Sequence, residues 1–568
     1  MILQRLYIVP ILSTLLFLSS CNEKKASSTG KRQAKGDRVY GSVFRQNETE
    51  YFRSLNPLNI TEVVGHRITN QIYEELVCLN QSDLSVEPSL AERWEVNADA
   101  TRFTFYLRKG VLFHEDACFG GSPREMTAED VKYCFTRLCK PGISNQGFWL
   151  FDQLVEGAKE CYEGKSDTVS GIKVLNPYCL EIRLMRPFAS FLYRLAMPFC
   201  AIYPHEAVDL YAEDMRAHAV GTGPFTLHKV IQDEAVILKR NPRYWKKDEF
   251  GNNLPYLDGV KFSFIKEEKV EMMEFRKGNL DMKYRLPLDQ IHEILDEKGN
   301  LTKDYAAFQS QKVTELSTQY YGFLHTDNMM GNVHIRRAFN YAIDREAIVN
   351  YTVKGEGTPA SYGLVPLGMK GYTNDRIKGY SFDPKKAKEE MAKAGYPDGK
   401  GFPKVTLQIN SGGGRNEKVA EAIQSMLRQN LNVEVEITQL PFAQHLENLE
   451  TGKSAFWRLG WNADYPDPEN FLNLCYGPHV PEKATDKSYL NSYRYKNKKY
   501  DALFDKANAT PDFTQRNELY IQLDQMIVDD AVVMPIFYTV NRRLLQPGVR
   551  NFPANGMEYR LLREVWIE

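Results

Sequence analysis

The chain lacks the signatures of several common classes of protein. Its 568 residues carry a formal net charge of only -1, so the broad basic surface of a nucleic-acid-binding protein is not expected. The ten histidines are scattered, and neither an H-E-x-x-H zinc motif nor a G-x-S-x-G nucleophile motif occurs. Asp464 and Asp467 could imitate the paired acids of a glycosidase, but no other feature favours catalysis. We therefore expect a protein that is not an enzyme and needs no cofactor or metal.

Long apolar segments and cysteines at metal-binding spacing are also missing. The run from Leu6 to Leu18 is too short to span a bilayer comfortably. The nine cysteines include no C-x-x-C pair. Disulfides are possible if the chain is exported, but the sequence does not define their pairing. The length itself predicts two or three domains rather than one core.

The N-terminus has the features of an export signal. Arg5 precedes the apolar run, and Ser19-Ser20-Cys21 follows it, which resembles the L-x-S-C signal of bacterial lipoproteins. The resemblance implies cleavage before Cys21 and lipidation of its thiol, which would hold the mature protein at the membrane of the cell envelope, facing the periplasm. Residues 21–37 are rich in Lys, Ser and Gly, which predicts a flexible tether. The alternative is an ordinary secretory signal with a chance cysteine.

The most specific sequence motif of the chain runs from Gly221 to Trp245. It opens with Gly-Thr-Gly-Pro, which predicts a turn. Two β-prone runs follow, Phe225–Val230 and Ala235–Lys239, and the polar residues between them predict a hairpin. Asn-Pro then ends the second strand and brings Tyr244 next to Trp245. By itself, this pattern indicates a hairpin with an aromatic plug.

The order of these pieces resembles the GTGPY…RNPxYW segment of extracytoplasmic solute-binding proteins that serve peptide and nickel ABC importers. Other segments resemble the same family, namely Pro88–Trp94, Phe103–Gly110, Phe275–Asp281 and Ile335–Arg345. The resemblance implies family 5 of these proteins, of the dipeptide- and oligopeptide-binding type. It implies an α/β periplasmic binding protein fold (class II), with two large α/β lobes around a cleft and a small additional domain.

The resemblance also implies how the chain divides. Residues 1–20 would be the signal peptide and 21–37 the tether. We expect lobe I to comprise 38–79, 201–315 and 533–568, the small middle domain 80–200, and lobe II 316–532. The chain would cross between the lobes more than once, which suits a hinge.

Several local predictions come from residue patterns. Ile68, Ile72, Tyr73 and Leu76 have helical spacing. Strands at 405–409 and 433–437, with a helix at 416–429 between them, form a βαβ unit and imply a parallel sheet. The glycines at 412–414 lack the Lys-Ser/Thr of a phosphate-binding loop, so a flexible connection is favoured. Arg336, Arg337 and Asp344 are expected in ion pairs on a helix surface, and Asp281 in a turn.

The densest candidate ligand segment is Phe456–Pro468. Strand ends in open α/β sheets commonly carry ligand sites, and here a strand ends just before Asp464. In the oligopeptide-binding members, the aspartate of a matching G-W-x-x-D pattern pairs with the α-ammonium of the peptide. The resemblance assigns that role to Asp464, while the alternative is a carboxylate that caps a turn.

The other candidates also come from the resemblance. Arg458 matches an arginine that binds the peptide carboxylate, although it could equally pair with an internal acid. Trp461 and Phe442 match aromatic residues of the cleft, with a core position as the alternative for Phe442. Glu62 and Val63 match a segment that pairs with the peptide backbone as an added strand. A cleft histidine of the family is replaced by Asn416, beside which Arg415 could bind a carboxylate.

These features together predict a lipid-anchored, monomeric protein that captures peptides in an interlobe cleft and delivers them to ABC permease subunits. Hinge closure would bury the peptide, and binding energy must favour the closed state. The same fold could instead bind an oligosaccharide or a nickel chelate. A secreted hydrolase and a surface adhesin are the remaining alternatives.

Overall fold

The computed structural model describes residues 30–142, 145–411 and 414–568. The predicted signal peptide, Cys21, the first part of the tether and two of the loop glycines lie outside the described residues. Within the described ranges, no helix combines the length and apolar character needed to cross a membrane. The eight cysteines from Cys78 to Cys475 are all described, and each is an unpaired thiol.

One four-stranded sheet belongs to the predicted lobe I. Its order is Phe225–Ile231, Ala235–Arg240, Gly259–Ser263 and Val43–Asn47. The first two strands are antiparallel neighbours joined by a short turn, which confirms the predicted hairpin. The last pair is parallel. Helices near this sheet in the sequence are Val63–Thr69, Glu268–Arg276 and Ile291–Ile294.

A second four-stranded sheet lies within the predicted middle domain. All its neighbours are antiparallel, in the order Ala91–Val96, Arg102–Leu107, Cys179–Arg183 and Ile172–Asn176. The helix Ala128–Leu138 begins with a capping box between Thr127 and Asp130. The shorter helices of this part of the chain are Ala158–Tyr162, Phe191–Leu195 and His205–Tyr211.

The largest sheet, here the central sheet, contains seven strands. Six of them follow the order Met282–Lys283, Val533–Leu545, Gln309–Phe323, Phe456–Asn462, Val405–Asn410 and Val435–Leu440, and Gly357–Pro359 pairs with Val533–Leu545 off this path. The parallel pair formed by Val405–Asn410 and Val435–Leu440, joined by the helix Arg415–Leu431, confirms the predicted βαβ unit. Further helices in this region are Val333–Ala342, Arg345–Ala347, Pro384–Lys393, Phe442–Glu450, Glu469–Leu472, Lys498–Asn508 and Phe513–Asp529.

Two long antiparallel strands of the central sheet, Gln309–Phe323 and Val533–Leu545, connect the predicted lobes. At one end, Val533–Leu545 pairs with Met282–Lys283 from the predicted lobe I. Toward the other end, Gln309–Phe323 pairs with Phe456–Asn462 from the predicted lobe II. This double passage of the chain is the arrangement that a hinge needs, although the domain boundaries themselves stay a prediction.

The Gly-Thr-Gly-Pro turn packs against backbone. A Cβ atom on Gly221 would lie 2.2 Å from the Ile72 carbonyl oxygen, and one on Gly223 would lie 2.6 Å from it. The N–H of Gly223 donates to that same oxygen at 2.9 Å. The two glycines are therefore required for close backbone approach.

The aromatic residues that follow the hairpin converge on one buried acid, Glu74. Its carboxylate accepts hydrogen bonds from the Tyr244 hydroxyl at 2.7 Å, the Trp245 indole N–H at 2.9 Å and the Thr222 hydroxyl at 2.9 Å. Burial raises the pKa of Glu74, and these three donors oppose that shift. The predicted aromatic plug is confirmed, and its polar centre comes from a different segment of the chain.

The prediction of a helix that continues to Leu76 was wrong. The helix at 63 ends at Thr69, so Ile72, Tyr73 and Leu76 are buried outside it. The reason is that the next backbone groups bond to the Gly-Thr-Gly-Pro turn instead of continuing the helix.

The arginines of the helix Val333–Ala342 do not form surface ion pairs. Arg336 donates to the carbonyl oxygens of Met330, Asp530 and Ala531, and Arg337 donates to that of Asp529. The last carbonyls of a helix have no intrahelical donor, and Phe513–Asp529 ends at this place. These arginines satisfy the helix end.

Asp344 and Asp281, the two acids considered with these arginines, have structural roles. Asp344 caps the next helix by accepting the N–H of Ala347 at 2.9 Å. Asp281 is buried and accepts both the backbone N–H of Arg45 at 2.7 Å and its guanidinium at 2.7 Å. Both therefore fasten backbone segments rather than face a ligand.

Candidate functional site

The predicted ligand residues collect at one edge of the central sheet. The strands that end at Asn410, Leu440 and Asn462 run parallel to one another in this sheet. Their carboxyl ends therefore meet at the same edge, where loops from neighbouring strands can build a site. Phe442 follows one of these ends and Asp464 another. The structure thus brings together two of the candidates.

Asp464 is held in place by Asn470. The backbone N–H of Asp464 donates to Asn470 Oδ1 at 3.0 Å, and Asn470 Nδ2 donates to the carboxylate Oδ2 at 3.1 Å. The indole N–H of Trp461 donates to the same Oδ1 at 2.9 Å. Asn470 therefore positions both candidates, and sequence reasoning missed it because the contact spans a loop.

The Asp464 carboxylate has no ion-pair partner among the described residues, since no Lys, Arg or His side chain lies within ion-pair distance of it. Burial raises its pKa to about 6, and the hydrogen bond from Asn470 and the more distant charge of Arg194 offset part of that shift. A buried carboxylate of this kind gains stability when a positive group arrives.

Arg458 carries the opposite charge and bonds to neutral side chains. Its guanidinium donates to Asn410 Oδ1 at 3.0 Å and to Gln319 Oε1, both neutral amides. Within the described part of the chain, no carboxylate lies within ion-pair distance of it, so the expected alternative of an internal acid is not what the structure shows. Burial lowers its pKa. His445 Nε2 lies 2.8 Å from its carbonyl oxygen and fixes the backbone there.

Two aromatic candidates lie at or near the ends of these strands. Phe442 begins the helix Phe442–Glu450 and is 47% exposed, so the alternative of a core position was wrong. Trp461 is half-buried.

Tyr489 was not singled out from the sequence. It is 58% exposed by area, yet burial raises its pKa, with a contribution from the charge of Asp464. A side chain that is both accessible and desolvated lines a concave space. Ser488 and Asn491, on either side of it, are fully buried, so the loop presents Tyr489 to that space.

The remaining candidates are less available to a ligand. Arg415 contacts Glu356 and lies 3.8 Å from Glu268, so internal carboxylates already surround it. Val63 begins a helix and is not part of a strand. Glu62 is its extended N-cap residue, and its carboxylate accepts the backbone N–H of Arg53 at 2.6 Å. The segment therefore offers little strand edge for an added peptide.

The fold and the site together define a class of protein. Two groups of strands are joined by a double passage of the chain. Arg458 lies within the strand Phe456–Asn462 and Asp464 follows its end, and neither has an ion-pair partner among the described residues. That arrangement suits reversible capture of a solute in a cleft. No group of three or more possible metal ligands occurs among the described residues.

The chain belongs to the bacterial extracellular solute-binding proteins, family 5. The model of that family, described as its Middle region, matches residues 85–482. This confirms the family and the fold class expected from the sequence motifs. Members of this family bind solutes outside the cytoplasm, so solute binding is the function class of the family.

Individual relatives are similar over nearly the whole chain. The periplasmic oligopeptide-binding protein OppA of Escherichia coli is 27% identical over 520 residues, which is 90% of this chain and 89% of that protein. Heme-binding protein A of Haemophilus influenzae is 26% identical over 563 residues, 96% of each chain.

Solved structures show the same fold. The periplasmic binding protein DppA of Helicobacter pylori, in complex with the peptide STSA, has a TM-score of 0.79 and 25% identity, and the match covers 94% of this chain and 99% of that one. The OppA complex of Haemophilus influenzae with RPPGFSPFR has a TM-score of 0.76 at 23% identity, with 92% and 98% covered.

Proposed function

We propose that this protein captures short peptides between its lobes by their two charged ends. The observation that carries the proposal is that, among the described residues, Asp464 has no cation and Arg458 has no carboxylate within ion-pair distance, although both side chains are half-buried and partly desolvated. An unmodified peptide supplies both missing partners, its α-ammonium for Asp464 and its carboxylate for Arg458. Relatives named for oligopeptide and dipeptide binding support this choice of solute.

The spacing of the two charges bounds the length of the peptide. Six residues separate Arg458 from Asp464, and a strand rises about 3.3 Å per residue, so their Cα atoms are at most about 20 Å apart. An extended peptide spans about 3.3–3.6 Å per residue. Peptides of up to about six residues therefore suit the site.

The rest of the proposal concerns where the protein works. Lipidation of Cys21 would anchor a monomer to the membrane of the cell envelope on the periplasmic side, and the closed, peptide-bound form would dock on the permease subunits of an ABC importer. The signal-like N-terminus and the family membership support this. Mass spectrometry of the mature N-terminus tests the lipid, and loss of peptide uptake on deletion of a neighbouring permease tests the docking.

Mass spectrometry of small molecules that co-purify with the protein is the first test of the solute. Peptides should be found, and isothermal titration calorimetry should show binding of trialanine but much weaker binding of its N-acetylated and C-amidated forms. Recovery of a saccharide or a chelate, with no binding of trialanine, would favour the alternative cargo. Cleavage of added peptides would favour the hydrolase.

Peptide affinity should depend on pH through Asp464. Its raised pKa of about 6 means that the carboxylate becomes protonated as the pH falls below that value. Only the charged form pairs with an ammonium, so the association constant should fall about tenfold from about pH 7 to about pH 5. Calorimetry across this range measures the change. The profile of Asp464→Asn should be flat, and a fall that persists in the variant would assign it to another group.

Removing the side chain that positions Asp464 should also weaken binding. Asn470→Ala deletes the hydrogen bonds to the carboxylate and to Trp461, and a bond to a charged group contributes about 1.5–3 kcal/mol. We expect trialanine to bind roughly tenfold more weakly, as measured by calorimetry. Asn279→Ala, which changes an exposed asparagine of lobe I, is the control. Equal affinity of the Asn470→Ala variant and the wild type would contradict the positioning role.

A further inference from the structure

A contact between the predicted middle domain and the predicted lobe II borders the Asp464 site. A short helix of the middle domain carries Tyr193 and Arg194. The ring of Tyr193 lies nearly parallel to that of Tyr465, with centroids 6.5 Å apart and an angle of 11° between the planes. Arg194 Nη2 lies 3.9 Å from a carboxylate oxygen of Glu469. Both lobe II partners follow Asp464 closely in the chain, and the two contacts together are here called the clasp.

The charged half of the clasp is buried. The side chains of Arg194 and Glu469 are 9% and 1% exposed. Arg194 is held on its own side, because its Nη1 donates to the Leu150 carbonyl oxygen at 3.1 Å and its guanidinium lies 4.3 Å from the centre of the Phe188 ring. Burial raises the pKa of Glu469, and the charge of Arg194 opposes that shift. Removing either partner would therefore leave the other charge buried without compensation.

Glu469 is joined directly to the residue that holds Asp464. It begins a short helix, and the next residue of that helix is Asn470, which donates to the Asp464 carboxylate at 3.1 Å. The backbone N–H groups of Glu469 and Asn470 donate to the side chain and the carbonyl oxygen of Asp467, at 2.9 and 3.0 Å. A displacement of Glu469 would therefore move Asn470, and with it the Asp464 carboxylate.

The clasp joins parts of the molecule on different sides of the predicted hinge. The middle domain is fastened to lobe I, since the His114 N–H donates to the Gly221 carbonyl oxygen at 2.8 Å and Arg124 donates to Glu206 at 2.8 Å. The middle domain would therefore move with lobe I when the lobes separate. Lobe II would then carry the Asp464 loop away from Arg194, and the clasp would break.

We propose that Arg194 is a positioning residue, which fixes the loop 464–470 through Glu469 when the lobes close and so completes the site for the peptide ammonium. The proposal rests on the proposed function. Arg194 is not within ion-pair distance of Asp464, so it supports the loop without taking the place of the ammonium. A free α-amine would bind the closed state better than the open one, and this difference in affinity is what drives closure.

The test measures the preference for a free amine, as the ratio of the association constants of trialanine and N-acetyltrialanine. Calorimetry should give a ratio of about 100 for the wild type. In Arg194→Gln and in Glu469→Gln the ratio should fall about tenfold. The double variant should be no worse than either single one, because the two residues act as a unit. Arg194→Lys restores the charge and should bring the ratio back to within about threefold of the wild type.

A matched control separates positioning from closure itself. Lys370 Nζ lies 2.9 Å from Asp83 Oδ2, which is another contact of lobe II with the middle domain, but on exposed side chains and with no bond to the Asp464 loop. Lys370→Gln should weaken both peptides by the same factor, less than about threefold, and leave the ratio unchanged.

The outcomes distinguish this proposal from the proposed function. If Arg194→Gln weakens both peptides equally, or leaves both unchanged, the positioning role is overturned alone. Should that variant fail to fold, the ratio in Glu469→Gln decides. If the wild type binds the free and the acetylated peptide equally well, or binds neither, the proposed function is overturned and this proposal with it.

Discussion

Replacing Asp464 by asparagine should weaken the binding of trialanine about 100-fold near neutral pH. The variant keeps the shape of the side chain and removes its charge, which leaves the peptide ammonium buried without a counter-charge. Loss of one partner of such a pair costs about 2–5 kcal/mol, and 100-fold corresponds to about 2.7 kcal/mol. Isothermal titration calorimetry with purified, ligand-free protein measures the change.

The N-acetylated peptide completes a double-mutant cycle for this contact. Because it has no ammonium, it should bind with similar weakness to the wild type and to Asp464→Asn. Asp375→Asn, which changes an exposed aspartate of the same lobe, controls for the net charge. Wild-type affinity of Asp464→Asn for trialanine would remove the central support of the proposed function.

The second large effect concerns stability and not binding. Glu74→Ala should lower the free energy of unfolding by about 3 kcal/mol, because Thr222, Tyr244 and Trp245 would lose their common acceptor inside the protein. Each buried donor left without a partner costs about 1–3 kcal/mol. Removing a carboxylate that is buried away from water offsets part of this loss of stability. Chemical denaturation followed by tryptophan fluorescence measures the loss.

Two further variants make this prediction specific. Glu92→Ala removes an exposed glutamate and should change stability by less than about 0.5 kcal/mol. Glu74→Gln keeps one acceptor and should have an intermediate effect. If Glu74→Ala is as stable as Glu92→Ala, the convergence of the three donors does not hold this part of the fold together.

Local patterns predicted helices and strands correctly where interactions within one short segment determine the structure. The hairpin after Gly221 and the βαβ unit around Arg415–Leu431 both follow from spacing or turn chemistry within one segment. The helix that was predicted to continue to Leu76 ends early because the N–H groups of Gly223 and Phe225 donate to the Ile72 and Gln71 carbonyls. A periodic pattern over a few residues cannot show that a segment about 150 residues away bonds to the same backbone carbonyls.

The candidate site was likewise predicted only in part. The motif placed Asp464 and Trp461 at a strand end, where the structure has them. It could not show that Asn470 holds both, or that Arg415 is already paired with internal acids. Each of these facts depends on which loops meet in space.

The sequence by itself determined the family and the alternation of strands and helices, and it singled out Asp464 as the candidate acid for a ligand, because these depend on residue types at short spacing. Only the tertiary structure decided which charges remain unpaired. Arg336, Arg415 and Arg458 are all arginines near predicted element ends, yet one binds helix carbonyls, one binds glutamates and one has only amides. Pairing is a property of the whole fold, since each partner comes from a different part of the chain.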